Sequence, residues 1–404
     1  MGETTTSAAQ RGVRLTVIDR TAEQFSLRRD SGEFHALYEA LGEVCERIDL
    51  LTMSKSPAGH EEVDGKTHVH GVPYGAGARG HARFQWYGFW ALKRVWREAR
   101  PDLIWCMDPL HSAVLWFWAR PLRPVPMMLA VRGDLYRLAV MDNWHPAKRW
   151  GIGLLTSLFA RLATRVRVVG QLTRDDLVAR GVAPERVIVQ ATPTRMELFH
   201  PAPHAQRGAE LRATHGLTGE RVLVFVGKLS RRKGVDLLLD ALALGGEALA
   251  ELRIVLVGGD GGELDALRAQ AERLGLTGRV LFVGRVTHAD VPAWLAAADA
   301  FVLPTRNEGL PRAAVEAAAM ELPVLITDVS SNAEAVRHGQ TGWLTAPCPE
   351  AIATALGELA ALSDVDLRQM GRRARAFVED RFGYEQGMAH MRQALVLDIA
   401  RTGR

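Results

Sequence analysis

Cysteine is scarce. The chain holds three in 404 residues, Cys45, Cys106 and Cys348, with neither paired nor metal-ligand spacing. That excludes a disulfide framework and fits a reducing cytoplasm. No run reaches the roughly 18 to 20 apolar residues of a membrane span, and the polar stretch from Met1 to Gln10 lacks the apolar core of a signal peptide. The expectation is a chain that touches a membrane from outside at most. A strict dinucleotide fingerprint and a P-loop are also missing. The run Gly258 to Gly262 fits neither, which counts against dehydrogenases and P-loop NTPases. Strong net charge is absent as well. A value of +4 is small for this length and says little by itself, and no nucleic-acid partner is expected.

At 404 residues the chain exceeds what one core normally serves, so two domains are expected. Short buried-type strands recur: Val13 to Ile18, Ile48 to Met53, Leu103 to Cys106, Met127 to Val131, Val166 to Val169 and Val187 to Gln190. A second set runs through Val222 to Val226, Ile254 to Val257, Val280 to Val283, Ala300 to Leu303 and Val324 to Thr327. Helical segments alternate with them, which implies parallel sheets covered on both faces. The proline-rich stretch Thr192 to Gly208 breaks the alternation and marks the boundary. The expected division is 1–200, 201–380, and a closing helix within 381–404 that crosses back to the first domain. Ser54 to Ala82 reads as a long loop whose histidines His60, His68, His70 and His81 are solvated.

The stretch Thr305 to Met320 organises the second half. A turn at Asn307 to Gly309 leads to Pro311, which opens an alanine-rich helix. Free N–H groups at such a start suit an anion. Glu308 and Glu316 frame it, with Glu316 roughly 7 Å along the helix from Pro311. In the loop after Val226, Lys228, Arg231, Arg232 and Lys233 place four cations within six positions, which suits a diphosphate. Glycines at these strand ends are explained by close backbone approach to a ligand.

Tryptophan and basic charge concentrate elsewhere. Eight of the ten tryptophans lie between Trp86 and Trp150. Around them, Arg79, Arg83, Lys93, Arg94, Arg97 and Arg100 surround Glu98, and His145 to Arg167 carries five basic residues and no acid. One account is an interfacial surface for anionic lipid or an acidic acceptor. The plainer account is an amphipathic helix with arginines snorkelling around its core face.

From Val222 to Leu344 these features resemble the retaining family 4 of the GT-B glycosyltransferases. Gly227, Lys228 and Leu229 followed by Lys233 and Gly234 stand where the family has Gly-Arg-Leu and Lys-Gly. Val257 to Gly262 matches its glycine turn, Phe282 to Val286 its Phe-x-Gly-x-Val, and Glu308 and Glu316 its pair of glutamates. The resemblance implies an α/β, GT-B architecture of two Rossmann-like doubly wound domains facing across a cleft. It implies metal-independent, retaining transfer of a sugar from a nucleotide diphosphate sugar, with no cofactor. Lys228 and Lys233 would hold the leaving diphosphate and Glu308 the donor sugar. Glu316 would bind the ribose, with Gly227, Gly309 and Leu310 near the phosphates and Arg285 and Val286 edging the base. Ser31, Gly32, His111, Arg132 and Asp134 would face a glycan or lipid-linked acceptor. The expected setting is glycan biosynthesis in the cytoplasm, with peripheral contact to an anionic membrane. The rival readings are a nucleotide-sugar 2-epimerase and a non-catalytic sugar-nucleotide binder. Three departures stand out: Lys228 replaces arginine, Glu321 a common glycine before Pro323, and Ser330 and Ser331 a common Gly-Gly.

Overall fold

A computed structural model describes residues 12–19, 38, 41–54, 60–63, 65–74, 77–122, 124–131, 145–191 and 193–402. The chain divides into two units. Unit 1 runs to Gln190 and resumes at Gln386, and unit 2 spans Ala191 to Glu385.

Unit 1 is built on an eight-stranded sheet. Its strands are β1 (Val13–Asp19), β2 (Cys45–Ser54), β3 (His60–Glu62), β4 (Thr67–Pro73), β5 (Leu103–Cys106), β6 (Met127–Val131), β7 (Arg165–Val168) and β8 (Val187–Val189), in the order β3-β4-β2-β1-β5-β6-β7-β8. Only the edge pair β3 and β4 is antiparallel among these neighbours. Strands such as β5 and β6 are buried at every residue, as expected for a parallel sheet covered on both faces. Helices α1 (Gly77–Glu98), α2 (Ser112–Ala119), α3 (Pro146–Leu162) and α4 (Gln171–Ala179) connect them.

Unit 2 carries a six-stranded parallel sheet: β9 (Arg221–Val226), β10 (Leu252–Val257), β11 (Val280–Gly284), β12 (Ala300–Leu303), β13 (Val324–Thr327) and β14 (Gly342–Thr345), in the order β11-β10-β9-β12-β13-β14. Around it lie α5 (Pro201–Thr214), α6 (Val235–Leu244), α7 (Leu264–Arg273), α8 (Val291–Ala296), α9 (Arg312–Ala319), α10 (Pro349–Ala361) and α11 (Asp364–Phe382). The last helix, α12 (Tyr384–Thr402), begins at the end of unit 2 and belongs to unit 1 from Gln386. There the Gln190 side-chain amide donates to the Gly387 carbonyl at 2.5 Å.

Four expectations change. Ser54 to Ala82 is not one loop, because it contains β3, β4 and the start of α1. Strand β4 escapes a hydrophobic pattern because polar residues take buried places: Thr67 and His70 are buried beside Val69 and Val72. His70 is satisfied there by Asp49 of β2 at 2.9 Å, so it is not solvated. The second part of the proline-rich boundary, from Pro201, is helix α5. Pro201 falls in its first turn, where the N–H it lacks has no partner, and His200 caps it by accepting from Ala202 N–H at 3.3 Å. Phe34, Leu37, Tyr38 and Leu41 stand at helical spacing and predict a helix from Gly32 to about Cys45; among the described residues Tyr38 and Leu41 are helical, but Cys45 starts β2. Pro311 caps α9 and Arg312 is its first residue.

Candidate functional site

In unit 2 the strand order reverses between β9 and β12, which are hydrogen-bonded neighbours. Loops leaving the carboxyl ends of two such strands diverge to opposite sides of a sheet and leave a crevice. Lys228 and Lys233 follow β9, and Glu308 follows β12. The two loops are clipped together. Thr305 Oγ1 donates to the Arg232 carbonyl at 3.0 Å, and Arg306 N–H donates to the same carbonyl at 2.8 Å. The Arg306 guanidinium forks onto Asp236 of α6 at 2.7 and 2.6 Å. That bond to Asp236 holds the arginine pKa above its ordinary value.

Lys233 Nζ forms an ion pair with Glu308 Oε1, and both side chains are nearly buried. Lys228 is exposed at the mouth of the same loop. Gly309 and Leu310 precede α9, and Leu310 packs on the unit 2 core. Glu316, 5% exposed, lies in α9. Its Oε1 is 3.4 Å from Arg312 Nη2 and 3.6 Å from His288 Nε2. The nearby Glu316 carboxylate raises the His288 pKa. Arg285, exposed, and Val286 follow β11, with Gly259 beside the Arg285 side chain. Gly227 N–H donates to the Val257 carbonyl at 2.9 Å.

The glycines have a different cause from the one expected. A Cβ on Gly258 would stand 1.8 Å from the Gly227 carbonyl oxygen, one on Gly261 2.4 Å from that of Leu229, and one on Gly234 2.0 Å from that of Pro304. These three glycines admit the backbone of a neighbouring loop. Backbone bonds Leu229 N–H to Gly259 O at 2.9 Å and Gly258 N–H to Gly284 O at 2.8 Å join the same loops.

In unit 1 the order reverses between β1 and β5. His111 occupies the position just before α2, beyond β5, without a capping side-chain bond. Asp108 accepts from Leu110 N–H at 2.9 Å and from His111 N–H at 2.6 Å, and its carboxyl also meets Ser112 Oγ at 2.9 Å and His111 Nδ1 at 3.2 Å. Burial works to raise the Asp108 pKa, but the bonds and charge from His111 outweigh it and bring it down to about 2. The His81 ring of α1 stands edge-on to His111 at 4.6 Å, and burial pushes its pKa down. Ser31, Gly32, Arg132 and Asp134 lie outside the described residues.

Sequence reasoning missed His288, Arg312 and Asn307. Arg312 was legible as an i,i+4 partner of Glu316. Asn307, whose Oδ1 accepts from Ser330 Oγ at 2.8 Å, and His288 depend on contacts between distant loops. Among the described residues, no group of three or more His, Cys, Asp and Glu is placed to hold a metal ion.

Residues 209–377 match the family described as glycosyl transferases group 1, and residues 33–191 match the glycosyl transferase 4-like domain. A D-inositol 3-phosphate glycosyltransferase of Streptomyces scabiei is 30% identical over 290 residues, 63% of this chain and 65% of its own length. One of Jonesia denitrificans is 31% identical over 246 residues, 52% of this chain and 58% of its own length. The match therefore spans less than two thirds of either relative. Sucrose-phosphate synthase from Thermosynechococcus elongatus shares the fold with a TM-score of 0.82 at 21% identity, covering 96% of this chain and 100% of that one. Anabaena HepE, solved in complex with UDP and glucose, gives 0.74 at 20% identity, covering 95% and 99%. With one family match in each unit and two Rossmann-like sheets, the chain belongs to the GT-B glycosyltransferases of group 1, the family 4-like kind.

Proposed function

We propose that this protein is a glycosyltransferase that moves a sugar from a nucleoside diphosphate sugar to a glycan or lipid-linked acceptor, with retention at the anomeric carbon. The carrying observation is the meeting of the Lys233 loop and the Glu308 turn where the unit 2 strand order reverses. A donor laid there puts its diphosphate against Lys233, Lys228 and the N–H groups of Gly309 and Leu310. Its sugar hydroxyls donate to Glu308, and its ribose hydroxyls donate to Glu316. Arg285 and Val286 edge the base.

The bond that breaks joins the anomeric carbon to a phosphate oxygen. Negative charge grows on the departing diphosphate, so fixed cations and helix N–H groups lower the barrier without reorganising. Two lysines and the α9 start supply that charge, and the reading assigns no metal and no cofactor. The leaving phosphate takes the acceptor proton. His111 lies at the equivalent strand-order reversal of unit 1 and is the described acceptor-side candidate. The setting is the cytoplasm, in glycan biosynthesis. UDP and glucose on HepE support the donor half by analogy, and the glycosyltransferase activity in the relatives' names supports the transfer.

Incubation with a panel of nucleotide sugars, with and without acceptor fractions, tests this. The expected result is nucleotide release that rises with acceptor. Binding without release leaves a sugar-nucleotide binder, and an epimerised donor without acceptor makes the protein an isomerase. Glu316→Ala should weaken nucleotide binding by about 1 to 3 kcal/mol in calorimetry, from loss of hydrogen bonds to a charged group. Unchanged affinity overturns the ribose assignment.

A further inference from the structure

Donor chemistry leaves one large surface of unit 1 unused. Helices α1, α2 and α3 lie side by side on one face of the sheet. Gly88 of α1 is packed against Leu115 of α2, and Phe117 of α2 stands edge-on to Phe159 of α3 at 6.1 Å. Their inward residues, among them Leu92, Leu115 and Phe159, share one core with Ile18, Leu51 and Ile104 of the strands.

The outward side is apolar where water should be met. Among the described residues fourteen large hydrophobic side chains are exposed, and nine of them sit on these three helices. Scattered exposed apolar residues need no explanation, but a contiguous patch marks an interaction site. On α3, Trp150 (69% exposed), Leu154, Leu158 and Leu162 repeat every fourth residue and form one stripe. That stripe is not the core face, which is made by Ile152, Phe159 and Ala160. On α1, Trp86 and Trp90 stand outward with Tyr87, and Arg83 and Arg94 continue the same stripe to either side. Trp118 of α2 is 63% exposed between them.

Charge selects the occupant. The three helices carry eight Lys and Arg against one acid, Glu98, which Arg94 already pairs at 3.0 Å. A second copy meeting this face would bring like charge onto like charge, which costs affinity. A bilayer with anionic lipid answers both features. Trp and Tyr favour the boundary between headgroups and acyl chains, leucines enter it, and Lys and Arg meet the phosphates. No described helix is long and apolar enough to cross a membrane. We propose that the outer face of α1, α2 and α3 docks on an anionic lipid surface, with the Trp150 to Leu162 stripe and the α1 tryptophans entering the headgroup boundary. The docking is independent of the donor site and can hold or fail without it.

The full-length chain, without nucleotide sugar, is floated with phosphatidylcholine vesicles that contain or lack phosphatidylglycerol. The expected result is flotation with the anionic vesicles alone, a blue shift of tryptophan emission, and loss of binding as salt rises. Leu154→Ser with Leu158→Ser, and separately Arg83→Glu with Arg94→Glu, should each lower vesicle affinity by about tenfold or more. All four positions are exposed, so circular dichroism and melting should match the wild type. Absence of wild-type flotation overturns the proposal, as does flotation that neither variant reduces. A wild-type dimer abolished by the leucine pair would assign the face to a second copy instead.

Discussion

Lys233 and Glu308 are nearly buried and hold each other. Removing one partner of such a pair leaves an uncompensated charge out of water. Lys233→Ala should lower stability by about 3 kcal/mol in urea unfolding, and Glu308→Gln in that background should restore part of the loss. Asp108 links stability to acid. Its folded pKa lies below the ordinary 3.8, near 2, so its contribution is complete above 3.8 and lost as pH falls through about 2. The difference amounts to up to about 2 kcal/mol, and Asp108→Asn should flatten the stability profile across that window. Glu321 and Ser330, two departures from the family pattern, have φ of 59° and 52°. Glycine is favoured there by the absence of a Cβ, and a left-handed L residue costs about 1 to 2 kcal/mol. Glu321→Gly should therefore raise unit 2 stability by about 1 kcal/mol in the same urea measurement, since the exposed contact with Arg372 at 4.0 Å offsets little. Family comparison flagged both positions, but only the backbone supplies the reason.

At the scale of elements, the strands that were legible are short runs rich in Val, Ile and Leu, because such a run has few other uses in an α/β chain, and this held for the half-buried edge strands β8 and β11 as well as for the buried ones. Strand β4 was not, since His70 draws its acceptability from Asp49 on another strand. Helix α5 was hidden by prolines that are harmless in a first turn. The glycine loops were seen, but the backbone contacts that require glycine at Gly234, Gly258 and Gly261 were not. Their spacing is the same whether a ligand or a neighbouring loop approaches, and the 1.8 Å and 2.0 Å approaches at Gly258 and Gly234 show that a neighbouring loop does. Gly258→Ala should destabilise unit 2 by about 2 kcal/mol or more in thermal unfolding, because the obstacle is backbone. Gly262→Ala, in open space at φ +95°, should cost less.

For the whole molecule, a sequence pattern sufficed to name the donor-side candidates, whereas of the acceptor-side candidates only His111 lies among the described residues. Lys228, Lys233, Glu308 and Glu316 lie close in sequence to strand ends, so a local pattern names them. His111 depends on Asp108 beside it and on His81 from α1, thirty residues earlier in the chain. The division into two units was expected from length and a proline-rich break. That unit 1 is written in two pieces has a consequence for synthesis. A ribosome finishes the 195 residues from Ala191 to Glu385 before it reaches Gln386. At about 5 to 20 residues per second, Gln190 waits roughly 10 to 40 s for the Gly387 carbonyl that its side chain will hold. The unit begun first is completed last, and a nascent chain interrupted near residue 385 carries a finished second unit beside an open first one.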